Sequence, residues 1–436
     1  MHSLEGLRAG EYNGLNRVKI PSGLTEFPLE ILQLSDSLEI LDLSGNPLSE
    51  LPEDISRLHK LKIAFFSDCS FKVFPKQLAQ CVSLEMIAFK GNNMTEIPED
   101  AFPPKLRWLI LTNNQIAVLP KSIGNSHRLQ KCMLAGNLLT SLPEEMANCK
   151  KLGLLRLSSN RLPALPTFLL SLPELSFLSF AGNPCTPSVE DNPVLEDISW
   201  SSLEVHQLLG EGASGIISKG TWKTPGGPKD VAIKIFKGEV TSDGSPADEM
   251  AACITAGSHP NLIDPIGKIH EHPESKRGLL LELIPPHYTN LGLPPTLQTC
   301  TRDSFQPGTV FPAEKCKLIL ISIVSAAAHL HERGIAHGDL YAHNILIDEN
   351  GHALLGDFGA ATVYQSQHEH AETLQRLEVL AFGHLVEDMM GLMDEEFWGE
   401  KGGLVDELSR LHSRCTTGVV EKRPTFREVE KLLVSL

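Results

Sequence analysis

Long apolar runs are missing from this chain of 436 residues. The longest, Leu318 to Leu330, is shorter than the roughly 20 residues that cross a bilayer. It runs on into His331-Glu-Arg-Gly334, so it reads as a buried helix. The opening residues, MHSLEGLRAGEYNGLNR, hold no apolar core of signal-peptide length. Positive charge is also scarce, with 38 Lys and Arg against 54 Asp and Glu and a formal net charge of −16. That balance argues against nucleic acid or an anionic membrane as the main partner, because phosphate binding needs clustered cations, and its plainer meaning is solubility. Paired cysteine spacing is absent too. Nine cysteines, with no CxxC facing a second CxxC, fit reduced thiols and predict no zinc site. These absences together predict a cytoplasmic protein with no membrane span.

What the chain does have is length and ordinary globular composition, 42% hydrophobic and 21% charged. It is too long for one hydrophobic core, so two domains, or a domain and a repeat array, are expected.

The first half is periodic. Asparagines recur at Asn46, Asn92, Asn114, Asn137, Asn160 and Asn183, with Cys69 filling the gap in the series. Prolines recur in step at Pro28, Pro52, Pro75, Pro98, Pro120, Pro143 and Pro166, 22 to 24 residues apart. The unit reads LxxLxLxxNxLxxLPxxI, as in Leu38–Ile55. Each LxxLxL predicts a short strand with its Leu side chains turned into a coil. The Asn would bond backbone where successive coils stack, and LPxxI would return along the outer side. No unit can bury its own apolar face, so the coils must stack. This pattern resembles the short intracellular class of leucine-rich repeats over residues 14–185, after an N-terminal segment 1–13.

Positions facing out of the predicted strands, on the concave side, carry Ile40, Ile63, Met86, Trp108, Lys131, Leu154 and Phe177, with Phe65, Ile110 and Met133 two residues further along. So apolar a stripe predicts a docking face for a protein partner or for the chain's own second domain, beside the plainer reading of strand positions covered by their neighbours.

The phasing stops after Asn183. Pro184–Ser202 holds three prolines and four acidic residues and reads as a linker, drawn at 186–202. From Leu203 the composition changes. Leu208-Leu-Gly210-Glu-Gly212-Ala-Ser-Gly215-Ile-Ile217 is a GxGxxG run, whose glycines let backbone approach phosphates. Alone it is weak evidence. Val231-Ala-Ile-Lys234 follows in a β-type stretch, where a lysine is costly unless its ammonium is paired. Glu249 opens a helical stretch ending at His259-Pro-Asn261 and is placed to pair with Lys234, with Asp248 as the alternative. His337-Gly-Asp339 with Asn344, and then Asp357-Phe-Gly359, complete an ordered set. A carboxylate there can take the proton of an attacking hydroxyl, while an Asn and a second Asp hold a metal against phosphates.

Over residues 203–436 this set resembles the protein kinase family, and Ile198-Ser-Trp200 with Lys219-Gly-Thr-Trp222 looks closest to its tyrosine-kinase-like group. The resemblance implies an α/β chain: a repeat solenoid followed by a bilobal domain with a β-rich N-lobe and a helical C-lobe. It implies ATP and Mg²⁺ as cofactors and a protein kinase activity, Ser/Thr or dual in specificity. Lys234, Glu249 and Asp339 would be the catalytic residues, and Asn344 and Asp357 the metal ligands. Gly210, Gly212, Gly215, Ile217, Ala232, Lys234, Glu282, Ile284 and Leu346 would bind the nucleotide behind a Leu281 gatekeeper.

The chain departs from the family in several places. The Arg before the catalytic Asp is Gly338, the Lys two residues after it is Tyr341, and four residues after it stands His343. Only 21 positions separate Asp357 from Glu378, which takes the place of the family's helix Asp, and no Ala-Pro-Glu is present. Arg423 thereby loses its usual partner, for which Glu372 is the expected replacement. Pro285–Pro312 reads as a surface loop or a lid. Two other functions fit these departures: a pseudokinase scaffold whose repeats carry the function, and a small-molecule phosphotransferase on the same fold.

Overall fold

The computed structural model describes residues 2–187, 195–212, 214–238, 240–365, 367, 369–394 and 403–436. Part of the expected linker therefore lies outside the described residues. The chain divides into two compact units, Met1–Glu174 with Asn183–Cys185, and Leu175–Gly182 with Thr186–Leu436.

The first unit opens with helix α1 (Leu4–Arg8), whose Ser3 cap accepts from the Gly6 N–H. Strands β1 (Arg17–Lys19), β2 (Ile40–Asp42), β3 (Ile63–Phe65), β4 (Met86–Ala88), β5 (Trp108–Ile110), β6 (Lys131–Met133) and β7 (Leu154–Arg156) follow, each parallel to the next. Their register repeats the sequence period, Ile40 facing Ile63, Ile63 facing Met86 and Met86 facing Trp108. The middle residue of a strand points inward, and Leu41, Ala64, Ile87, Leu109, Cys132 and Leu155 are all fully buried.

The asparagines explain the stacking. Asn46 Nδ2 donates to the Ile20 and Leu43 carbonyls at 2.8 and 2.9 Å, while its Oδ1 accepts the Leu24 N–H at 3.0 Å. One side chain thus satisfies backbone groups of two coils, which would otherwise be buried unpaired at a cost of about 1–3 kcal/mol each. Asn137 and Asn160 repeat this arrangement, and Asn183 likewise accepts the Leu162 N–H and donates to the Leu157 carbonyl. Cys69 makes the substitution with longer thiol bonds, 3.5 Å to the Leu43 and Ser67 carbonyls. The prolines start the return path: Pro28, Pro75, Pro120, Pro143 and Pro166 each precede a 3₁₀ turn.

Strand β8 (Phe177–Ser179), the last unit of the repeat pattern, falls in the second unit. The N-lobe there is a six-stranded sheet of β9 (Glu196–Ser199), β10 (Leu203–Glu211), β11 (Gly215–Thr224), β12 (Gly227–Phe236), β13 (Pro265–His270) and β14 (Gly278–Glu282), in the order β10-β11-β12-β14-β13-β9. Strand β9, from the stretch read as linker, runs parallel to β13, so this sheet begins upstream of Leu203. Helix α2 (Pro246–Ala256) starts with Ser245 capping the Ala247 N–H and Pro246 in the first turn, and stops at Gly257 with φ +63°.

The C-lobe carries β15 (Thr289–Asn290), α3 (Ala313–Glu332), β16 (Ile335–Ala336), β17 (Ile345–Ile347), β18 (Ala353–Leu355), β19 (Thr362–Val363), α4 (Ala371–Gly391), α5 (Leu404–Cys415) and α6 (Phe426–Ser435). The apolar run Leu318–Leu330 lies inside α3, with Ile319, Leu320, Ile323, Val324 and Leu330 buried. Among the described residues no helix is long and apolar enough to cross a membrane.

Candidate functional site

The glycine hairpin between β10 and β11 closes with the Gly212 N–H donating to the Gly215 carbonyl at 2.9 Å. Its three glycines are there for different reasons. A Cβ on Gly215 would sit 2.7 Å from the Ile235 carbonyl, so β-sheet packing demands glycine. Around Gly210 and Gly212 a Cβ would meet nothing within 4 Å. Among the described residues, nothing excludes a side chain at those two positions.

Below the hairpin lies a cavity of about 230 Å³ lined by Gly212, Gly215, Ile217, Lys234, Glu249, Leu281 and Asp357 among others. Lys234 is held on β12 and donates to Glu249 Oε1, with side chains 13% and 1% exposed. Burial works against the charge on Lys234, but Glu249, Cys253 and Asp357 outweigh it and hold its pKa above the usual lysine value. The choice between Glu249 and Asp248 is thereby decided. Asp248 has no such cation, and burial pushes its carboxyl up to about 6. Glu249 Oε2 is buried without a hydrogen-bond partner among the described residues.

The loop after β16 places the remaining groups. Asn344 Nδ2 donates to the backbone carbonyl and to Oδ2 of Asp339, both at 2.9 Å. Its amide oxygen is left with no partner among the described residues. Asp357 holds φ +55°, a left-handed conformation costly outside glycine, and its Oδ1 accepts the Gly359 N–H at 3.1 Å. His337 Nε2 bonds the Gly356 carbonyl at 2.8 Å, tying the Asp339 loop to the Asp357 loop.

Glu378 on α4 is the anchor beneath. Its carboxylate accepts the Gly338 N–H at 2.5 Å and the His337 N–H at 3.2 Å, and meets His331 Nε2 at 2.6 Å. Burial would raise its pKa, but these donors outweigh burial and lower it. The other ring nitrogen of His331 reaches the Tyr364 hydroxyl at 2.8 Å.

Several expectations need correction. Arg423 does not turn to Glu372. Glu372 pairs with Arg376, one turn along α4, and Arg423 donates to the Thr417 and Arg376 carbonyls. Pro285–Pro312 is not a loose surface loop, since β15 pairs with β17 and Leu293 pairs with Ser304. Of the concave stripe, Met86, Lys131, Leu154 and Phe177 are buried, so only Ile40, Ile63, Phe65, Trp108, Ile110 and Met133 keep partial exposure. Phe177 instead lies flat on Tyr341 within the second unit.

The remaining nucleotide-site candidates, Gly210, Ala232, Glu282, Ile284 and Leu346, are not among the residues lining the cavity. Ala232 and Leu281 pair across β12 and β14, as do Val231 and Glu282. Ile284 follows just after β14, Leu346 is on β17, and Gly210 sits on β10. Thr241, Asp243, Cys253, Ile263 and Leu279 line the cavity and were not anticipated. Ile263, Leu279 and Cys253 flank His259-Pro-Asn261, Leu281 and Glu249 in sequence, whereas Thr241 and Asp243 lie in a stretch with no motif.

An Asn amide oxygen and a carboxylate are hard oxygen donors, the kind Mg²⁺ takes when phosphates and water complete its shell. Among the described residues, no group of three or more His, Cys, Asp or Glu could hold a metal.

Known proteins agree with this architecture. Residues 203–380 match the protein kinase domain model, and residues 37–58 and 104–162 match leucine-rich-repeat models. A probable serine/threonine-protein kinase of Dictyostelium discoideum is 30% identical over 178 residues, 38% of this chain and 9% of that protein. The serine/threonine-protein kinase pakH of the same organism is 26% identical over 180 residues, 39% of this chain and 31% of that protein. Cyclin-dependent kinase 14 of Oryctolagus cuniculus is 30% identical over 162 residues, 37% of this chain and 31% of that protein. The chain thus spans at most 31% of the length of these relatives. Its leucine-rich repeats are thus followed by a protein kinase domain.

Proposed function

We propose that the second unit is an ATP·Mg-dependent protein kinase of serine/threonine type, and that the repeats recruit a protein partner or substrate. The observation that carries this reading is the buried Lys234–Glu249 pair beside Asp357. A lysine held charged in a cavity is suited to phosphate oxygens. Open space around Gly210 and Gly212 supports the same reading, because a close ligand gives glycine a reason where the fold gives none.

In this reading Lys234 contacts the α/β-phosphates and Glu249 fixes its direction. Asn344 and Asp357 hold the metal, which neutralises phosphate charge when bound. Asn344 also orients Asp339 through its amide N–H groups, leaving a carboxylate to accept the acceptor hydroxyl's proton. Ile217, Ala232 and Leu346 flank the base, and the backbone at Glu282 and Ile284 meets its edge. The half-buried Trp108, Phe65, Ile110, Met133, Ile40 and Ile63 form the docking face. The nine cysteines are all free thiols, in keeping with a reducing, cytoplasmic setting.

A second reading, a scaffold without turnover, is favoured by one observation: Tyr341, two residues past Asp339, is covered by Phe177. The test is purified full-length chain with labelled ATP·Mg and a general protein acceptor, beside Asp339→Asn. Label transfer lost in the variant supports the kinase. Nucleotide binding with no transfer to protein overturns it in favour of the scaffold, and turnover only on small hydroxylated compounds overturns it in favour of a small-molecule phosphotransferase.

A further inference from the structure

The turn Ala342–Asn344, between Asp339 and the end of the catalytic loop, is a short 3₁₀ helix whose own N-cap residue, Tyr341, makes no side-chain cap bond. A turn of that kind leaves backbone N–H groups without intrahelical partners. The cap comes from about forty residues upstream. Asp303, its side chain 3% exposed, accepts the Ala342 N–H on Oδ2 and meets His343 Nδ1 on Oδ1 at 2.7 Å.

Asp303 is not alone. The same post-hinge segment donates from Asn290 Nδ2 to the His343 carbonyl at 2.6 Å, from the Leu291 N–H to the Ile345 carbonyl at 2.8 Å, and from the Gly292 N–H to the Ala342 carbonyl at 3.2 Å. Gly292 is at this contact because a Cβ would lie 2.8 Å from Ala342 Cβ. The segment is also fastened at its far side. Arg302, next to Asp303, pairs with Glu387 at 2.7 Å and with Asp388 at 2.5 Å on α4. The insertion therefore bridges the long helix α4 and the turn that carries Asn344.

This brace stands where another kind of support is missing. Residue 338 is glycine, so no guanidinium is available there to reach a phosphate on the loop that follows Asp357. Two charged anchors on adjacent residues, Arg302 toward α4 and Asp303 toward the turn, fasten the segment at both ends.

We infer that Asp303 is a positioning residue for phosphoryl transfer: it caps the Ala342–Asn344 turn and so sets Asp339 and Asn344 relative to each other. The catalytic part of this inference rests on the proposed kinase activity; the capping part does not.

The test uses the full-length chain and Asp303→Asn, which is isosteric but keeps one acceptor oxygen in place of two. Hydrogen exchange is followed in the 339–345 segment and in α3, together with label transfer from ATP·Mg and the Kd of a fluorescent ATP analogue. Exchange at 339–345 is expected to rise about tenfold or more while α3 is unchanged. Transfer is expected to fall about 100-fold, with the analogue's Kd within about threefold, because a small misplacement of reacting groups costs rate rather than nucleotide affinity. Unchanged exchange at 339–345 would overturn the inference. So would exchange rising equally in α3, since Asp303 would then be a fold residue only. If the wild-type chain transfers no phosphate, the kinase reading fails, and the exchange measurement alone decides the capping role.

Discussion

Phe177 lies face to face with Tyr341, ring centroids 3.9 Å apart and planes within 9°, both side chains buried. Phe177 comes from the last unit of the repeat pattern, and Tyr341 follows Asp339 by two residues. Around this stack the Phe180 N–H donates to Thr362 Oγ1 at 3.0 Å, and Ser179 Oγ to the Asp243 carbonyl at 3.1 Å. Strand β8 is thus a built-in part of the second unit.

Phe177→Ala should therefore destabilise the second unit. Removing a buried aromatic side chain costs about 3–5 kcal/mol. Chemical denaturation followed by far-UV circular dichroism is the check, and a loss below about 1 kcal/mol would contradict the packing described.

Gly338 admits no side chain. Its φ is +72°, and a Cβ would lie 2.7 Å from the Ala360 carbonyl and 3.0 Å from that of Leu178. Gly338→Ala is expected to cost about 1–2 kcal/mol for the left-handed backbone alone, with the clash added. Restoring the family's arginine there should be worse than alanine. Thermal melting of both variants measures this, and an arginine variant as stable as the wild type would refute it.

Glu249→Ala removes the carboxylate to which Lys234 donates, and the Lys234 side chain is only 13% exposed. Breaking a buried pair by removing one member costs about 3–5 kcal/mol. Nucleotide affinity and stability should both fall, whereas Asp248→Ala should leave nucleotide affinity within about twofold. Titration with a fluorescent ATP analogue separates the two.

Asp339→Asn should remove the proton acceptor while keeping the hydrogen bond from Asn344. General-base loss lowers rates by about 10²–10⁴-fold. Single-turnover transfer is the measurement, with nucleotide affinity expected to stay within about threefold.

His384 on α4 is partly exposed, but its Nδ1 is buried with no partner among the described residues, and its pKa is pushed down to about 3, chiefly by burial and then by Arg302. A group whose folded pKa is depressed contributes stability above its unfolded value, about 6.5, and that contribution is lost as pH falls toward 3. Below pH 6.5 stability should fall by up to about 1.4 kcal/mol per pH unit from this residue. His384→Phe should flatten that slope between pH 6.5 and 5 in urea titrations; an unchanged slope would show that other groups carry it.

Much of this molecule was legible in its sequence because the causes are local. A repeat must satisfy the same backbone groups every coil, so Asn and Pro recur in phase, and the turn chemistry is written next to the strands it serves. The glycine hairpin, Lys234, Asp339, Asn344 and Asp357 were legible for a related reason: each sits in a short motif whose spacing follows one strand, one loop or one turn. What tertiary structure alone decided lies between segments far apart in the chain. Glu249 rather than Asp248 meets Lys234 because only one of two adjacent helix positions faces β12. Phe177 is buried on Tyr341, although the repeat period places it among concave surface residues. Asp303 reaches the turn beyond Asp339 from within an insertion whose composition suggests only a loop. Period and motif report what a residue's neighbours in sequence require, and a side chain's partner across 40 or 160 residues is settled only when the chain closes on itself and buried polar groups must be matched.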